Sequence, residues 1–145
     1  MHRNLFVGIV FIVLLFHSAA SGEELKTVDD VTALTENVMQ SIAANDLKAA
    51  FDKMTPHTVL TKTEIEAGYL QLKAQRDQEG YPFGRAIAYE FISSIKLGTS
   101  LIRLQYIEKT PKSAIAWTFV FYNSGSGWSL IHFKWSNAMT LFDEN

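Results

Sequence analysis

The sequence contains no cysteine. This absence excludes a disulfide framework, a thiolate nucleophile and a lipid-attached amino-terminal cysteine. No apolar run reaches the roughly 20 residues that a bilayer-spanning helix needs, and no run of Lys or Arg is long enough to form a phosphate-binding stripe. The chain must therefore be stabilised by an ordinary core, for which it has 48% hydrophobic and 12% aromatic residues.

Residues 1–20 have the layout of a secretory signal peptide. A basic start at Arg3 precedes an apolar run over residues 5–16, and small residues follow up to Ala20. We expect cleavage after Ala20, with Gly22 as the second choice, and export to the periplasm or the extracellular space. The alternative is a permanent membrane anchor, for which the run is short.

The remaining chain, residues 21–145, is predicted to form one domain, because it has no internal repeat, low-complexity tract or internal linker. It carries 12 basic and 15 acidic residues, a net charge of about −3. We therefore expect no nucleic-acid partner, and no membrane contact once the signal peptide is removed.

Apolar residues at spacings of three and four predict two helices near the start of this domain. The first covers residues 28–42 and can be capped by Thr27 or Asp29. The second covers residues 47–54 and ends before Pro56.

A third helix is indicated by Thr63 and Glu66, which have the spacing of a capping box, and it ends near Gly80. After Gly84 the apolar period changes from 3.6 to 2. The predicted strands are residues 85–97, 100–109, 113–122 and 127–136. The fold class is therefore α+β, with three amino-terminal helices packed on a curved four-stranded antiparallel meander.

The short turns also suggest a register for this sheet. It places Ile95 opposite Ile102 and sets one row of side chains on the helix-facing side: Phe91, Tyr106, Trp117 and His132. On the other side, Ile131, Phe133 and Trp135 lie beside small residues of the third strand. We expect this outer apolar patch to be an interface, in a homodimer or with a partner protein.

The order of elements, together with D-x-x-x-A-F-x-x-M-x-P at residues 46–56 and G-W-S-L-I-H-F at residues 127–133, resembles the nuclear transport factor 2-like superfamily. The resemblance covers about residues 28–142. It implies a cone in which the helices close over the concave side of a bent sheet. Members include ketosteroid isomerase, scytalone dehydratase and polyketide cyclases as well as transport factors, so the resemblance implies no single activity. No catalytic residue of the family is carried over.

Several side chains are candidates for a site inside the cone. Aromatic and imidazole groups with polar atoms could orient a ligand in an apolar cavity, and the predicted pocket residues are Tyr69, Tyr89, Tyr106, Trp117 and His132. The alternative for all of them is plain core. His132 is a weak catalytic candidate, as a general base.

Charged residues offer fewer candidates. Arg76, Arg85 and Arg103 could hold an anion at the mouth of the cone, or could simply be solvated. Glu108 and Lys134 are expected to form an ion pair at its rim. No metal and no cofactor are expected, because the residues needed for a ligand set or a nucleotide motif are missing.

The function predicted from these features is that of an exported, non-catalytic module that binds a small apolar or amphipathic molecule in the cone, or another protein through the sheet. Two alternatives stay open. One is a small isomerase, dehydratase or cyclase with His132 as base and Tyr69 or Tyr106 as donor. The other is a structural subunit whose cone is filled by its own side chains.

Overall fold

The structure is a computed structural model and describes residues 24–137. The predicted signal peptide, its cleavage site and both ends of the predicted domain lie outside the described residues. Among the helices of this described part, none is long and apolar enough to cross a membrane.

The chain folds as three helices followed by four strands. The elements are α1 (Val28–Ala43), α2 (Leu47–Met54), a 3-10 turn (Thr55–His57), α3 (Lys62–Asp77), β1 (Ala88–Leu97), β2 (Leu101–Lys109), β3 (Ala114–Asn123) and β4 (Trp128–Asn137). The strands form one antiparallel sheet in the order β1-β2-β3-β4. The predicted fold class is confirmed.

Capping boxes define the starts of α1 and α3. Thr27 caps α1 as predicted. In α3 the box is formed by Thr61 and Glu64, whose side chains each bond the other's backbone N–H. The predicted pair, Thr63 and Glu66, has the same spacing but lies within the helix, so the cap of α3 is two residues before the predicted one.

The core lies between the helices and the inner face of the sheet. The apolar stripe of α1 packs against β1 and β2, and Phe51 of α2 contacts Phe133 and Trp135 of β4. Its largest fully buried members are Trp117, Tyr106, Phe51, Phe119, Phe121 and Met39. Burying side chains of this size supplies the stability that the absence of disulfides requires.

The predicted register is correct for β2 with β3 throughout. β1 follows its predicted register as far as Phe91, which lies opposite Tyr106. A bulge at Ile92 then shifts the pairing by one residue, so Ile95 lies opposite Arg103 and not opposite its predicted partner.

The predicted register of β4 is wrong. The pairing shifts by two residues at the turn, and a bulge at Ile131 then exchanges the two faces of the strand. Phe133 and Trp135 therefore point towards the helices, and Trp135 instead of His132 lies opposite Trp117. The bulge lets two large rings join the core, where the unbulged strand would leave them exposed.

The outer face of the sheet consequently differs from the predicted interface patch. Phe133 and Trp135 do not lie on it, and Ile131 is half-buried at the bulge. Apolar exposure on this face comes from Ile95, Leu97 and Tyr122, whose relative exposures are 39%, 46% and 43%.

Candidate functional site

Two of the three tyrosines predicted to line the cone, Tyr106 and Tyr89, are hydrogen-bonded to the protein's own groups. Tyr106 is fully buried, and its hydroxyl lies 2.8 Å from Thr35 Oγ1. The Tyr89 hydroxyl donates to Glu36 Oε2 at 2.5 Å. A hydroxyl that already has a partner has less capacity to orient a ligand. Tyr106 is therefore part of the core, and Tyr89 is a half-buried residue packed against it.

Trp117 is held in the same way. Its indole Nε1 donates to Glu108 Oε2 at 3.0 Å, and Arg76 Nη2 donates to the same oxygen at 2.6 Å. Trp117 also stacks on Phe119, with ring centroids 6.1 Å apart. Around Trp117, the inner face of the sheet is thus covered by packed side chains.

Burial of Tyr106 gives the protein an expected sensitivity to alkali. Desolvation raises the pKa of Tyr106 to about 12, whereas an exposed phenol ionises near pH 10. Because the pKa of Tyr106 is higher in the folded than in the unfolded protein, its neutral hydroxyl contributes to stability. That contribution is intact below about pH 10 and is lost as the pH rises towards 12. Over this pH window, the free energy of unfolding in urea should fall more steeply for the wild type than for Tyr106→Phe. Equal slopes would contradict this account.

His132 does not join these residues. It is exposed on the outer face of β4, opposite Val120, on the side of the sheet away from Tyr106. The predicted row that contained it was wrong because the bulge at Ile131 changes the face. Its placement removes the geometry on which a general-base role beside Tyr106 depended.

Tyr69 lies in a separate groove between α2 and α3. The groove has a volume of about 460 Å³, within the range of small-molecule sites. Phe51 and Ile65 provide an apolar floor, and the ring of Tyr69 meets Phe51 edge-on with centroids 5.8 Å apart. This groove, defined by α2 and α3, is the candidate functional site.

Charged side chains surround the mouth of the groove. Lys48 and Asp52 form an ion pair along α2, and that hydrogen bond raises the pKa of Lys48. Lys62 and Glu66 lie on the α3 side. No ion pair of Lys62 occurs among residues 24–137. The groove therefore combines an apolar floor with a lysine whose charge is not neutralised by such a pair.

Gly68 explains how α3 comes close enough to form this groove. A Cβ atom at this position would lie 3.1 Å from Phe133 Cζ and 3.2 Å from Phe51 Cε1. Those distances are shorter than ordinary van der Waals contacts. Gly68 was not among the predicted site residues, although a glycine within a predicted helix is a recognised signal of close packing.

The predicted ion pair between Glu108 and Lys134 is also wrong. Lys134 lies on the outer face because of the β4 bulge, while Glu108 is buried on the inner face and pairs with Arg76 of α3. These partners are 32 residues apart in sequence. Their pairing depends on the approach of α3 to the sheet, which no local pattern reports.

In the part of the chain that the structure describes, no three or more His, Asp or Glu side chains form a group that could hold a metal ion.

Comparisons with known proteins bear on the fold. No protein-family model matches the chain, and no curated protein matches its sequence. A crystal structure from Thiobacillus denitrificans ATCC 25259, described as a candidate calcium/calmodulin-dependent protein kinase type II association domain, is similar with a TM-score of 0.50. The similarity covers 80% of this chain and 98% of that chain, at 13% sequence identity.

That association domain belongs to the nuclear transport factor 2-like superfamily. The fold of this chain is consistent with that superfamily. The low sequence identity limits the similarity to the fold, so the function of the chain has to be argued from its own surface.

Proposed function

We propose that this chain is a non-catalytic module that binds a small amphipathic molecule in the groove between α2 and α3. The observation that carries the proposal is the combination of an apolar floor, formed by Phe51, Ile65 and Tyr69, with a lysine at the mouth. An apolar ligand body would cover the floor while an acidic head group approached Lys62.

The groove supports binding better than chemistry. His132, the one weak catalytic candidate, is exposed on the outer face of β4, whereas Tyr69 lies between two helices. Proton transfer requires the acid and base to reach the same substrate within hydrogen-bonding distance. The enzyme alternative therefore has no geometric support among these residues.

A charge reversal tests the groove. The probe is 1-anilinonaphthalene-8-sulfonate, an aromatic anion whose fluorescence rises in apolar surroundings. Reversing the charge of Lys62 removes an attraction to the bound anion and adds a repulsion, and each contributes up to roughly 1 kcal/mol. Binding should therefore weaken by about tenfold. We expect Lys62→Glu to show this loss in a fluorescence titration of the folded protein.

Lys112→Glu is the matched control. Lys112 lies in the turn between β2 and β3, and its substitution changes the net charge by the same amount away from the groove. It should bind the probe as the wild type does, and both variants should have the melting temperature of the wild type. Equal affinities for the two variants would sink the proposal.

The homodimer and the export predicted from the sequence stay predictions. If two copies associate through the outer sheet face, the exposed apolar side chains available are Ile95, Leu97 and Tyr122. The similar structure from Thiobacillus denitrificans is described as an association domain. That description of the other protein is compatible with the expected homodimer.

A further inference from the structure

The buried ion pair between Arg76 and Glu108 is incompletely bonded. The Arg76 side chain is 12% exposed and the Glu108 side chain 1% exposed. One Glu108 oxygen accepts both hydrogen bonds, from Arg76 and from Trp117. Glu108 Oε1 and Arg76 Nε are buried without a hydrogen-bond partner. Arg76 Nε lacks an acceptor and Glu108 Oε1 lacks a donor, and both cost stability. Of these two atoms, only Arg76 Nε could be satisfied by an anion.

A cavity of about 420 Å³ lies beside Arg76, at the end of α3. Arg76 and Arg85 both line it, and so does Asp77. The Asp77 carboxylate is engaged by Lys73, whereas no ion pair of Arg85 is found in the described part of the chain. The lining therefore carries an excess of positive charge.

The position of Arg85 is set by the turn between α1 and α2. Asn45 adopts a left-handed conformation, with φ of 59°. Its side-chain amide donates to the Ala86 carbonyl and accepts from the Ala86 N–H, both at 2.9 Å. These paired bonds hold the backbone of Ala86 in place, so the neighbouring Arg85 side chain extends from an ordered part of the cavity lining.

The segment Gly80-Tyr81-Pro82-Phe83-Gly84 forms another wall. Both glycines have positive φ, 80° and 82°, which other residues adopt at a cost. Tyr81 lines the cavity and meets Phe83 edge-on, while Phe83 packs on the core. Burial raises the pKa of Tyr81, and its phenol is close enough to Arg76 and Glu108 to interact with both charges.

We propose that this cavity is a second binding site, for a small oxyanion that lies between Arg76 and Arg85. A carboxylate or a phosphate group has the acceptor geometry that guanidinium groups match. The site is separate from the α2–α3 groove and does not depend on it. Arg103, the third arginine considered from the sequence, has no part in it, because it lies on the outer face of the sheet.

The test uses the indole N–H resonance of Trp117, which reports on Glu108. Malonate and inorganic phosphate are titrated separately into 15N-labelled protein at constant ionic strength, with chloride as the balancing anion and the Trp128 indole as an internal control. We expect a saturable shift of the Trp117 resonance with at least one of the two probes. Saturation with malonate alone assigns a carboxylate site, and saturation with phosphate alone assigns a phosphate site.

Arg85→Gln and Arg103→Gln form a matched pair, since each removes one arginine charge. Arg85 is exposed, so its substitution should leave the melting temperature unchanged. Arg85→Gln should weaken binding by at least about tenfold, equal to about 1.4 kcal/mol, while Arg103→Gln should bind as the wild type. The proposal is overturned if neither probe saturates, or if the two variants respond alike.

Discussion

Replacing Arg76 with methionine should lower the free energy of unfolding by about 3–5 kcal/mol, because it leaves the carboxylate of Glu108 buried with no opposite charge. The Glu108 side chain is 1% exposed, and the remaining bond from Trp117 Nε1 is not enough to replace a guanidinium. Urea unfolding followed by tryptophan fluorescence measures the loss.

Arg103→Met is the control for this variant. Arg103 is half-buried on the outer face and takes part in no ion pair within residues 24–137. Its substitution should therefore change the stability by less than about 1 kcal/mol. Adding Glu108→Gln to Arg76→Met should recover most of the stability, since the amide oxygen keeps the bond from Trp117 without a buried charge. A loss no greater than that of Arg103→Met would show that the pair is not buried as described.

The main effect of Trp135→Glu should be a lower free energy of unfolding, and not a change in the assembly state. The ring of Trp135 lies 5.5 Å from that of Trp117 and 6.4 Å from that of Phe51, and its Nε1 donates to Gln75 Oε1 at 3.0 Å. Loss of these contacts and placement of a carboxylate among aromatic rings should cost about 3 kcal/mol. The measurements are urea unfolding and native mass spectrometry.

Ile95→Glu is the matched control on the opposite face of the sheet. Ile95 is 39% exposed, so the same new charge should reduce the stability by about 1 kcal/mol or less. Comparing the two variants therefore tests whether Trp135 lies on the inner or the outer face of the sheet. A stable Trp135→Glu protein with a changed assembly state would contradict the β4 register and favour the outer-face placement predicted from the sequence.

Local patterns were sufficient where neighbouring residues carry the information. Helical spacing and capping residues predicted α1 and α2, since both depend on side chains within one or two turns of each other. Alternation with a period of 2 predicted all four strands. The turn predicted at Thr110-Pro111-Lys112 suggested the β2–β3 register that placed Tyr106 beside Trp117. These features gave the fold class and the central row of the core.

Local patterns were insufficient for the candidate sites. Of the predicted pocket residues, Tyr106 and Trp117 are buried and Tyr89 is half-buried. Their polar atoms are hydrogen-bonded within the protein, to Thr35, Glu108 and Glu36 respectively. Tyr69 lies in a groove whose existence depends on how closely α3 approaches α2. Whether a polar side chain faces a ligand or a neighbour is decided by partners distant in sequence.

The order of elements, the helix stripes and the inward face of β2 and β3 could be predicted from the sequence, because each rests on interactions between residues close along the chain. The face of β4 could not, since it depends on contacts with distant helices. Both faces of that strand are apolar, so the alternation does not choose between them, and the bulge at Ile131 removes one residue from the pairing. The choice is made by Phe51 and Gln75, which contact Phe133 and Trp135 from helices more than 50 residues away.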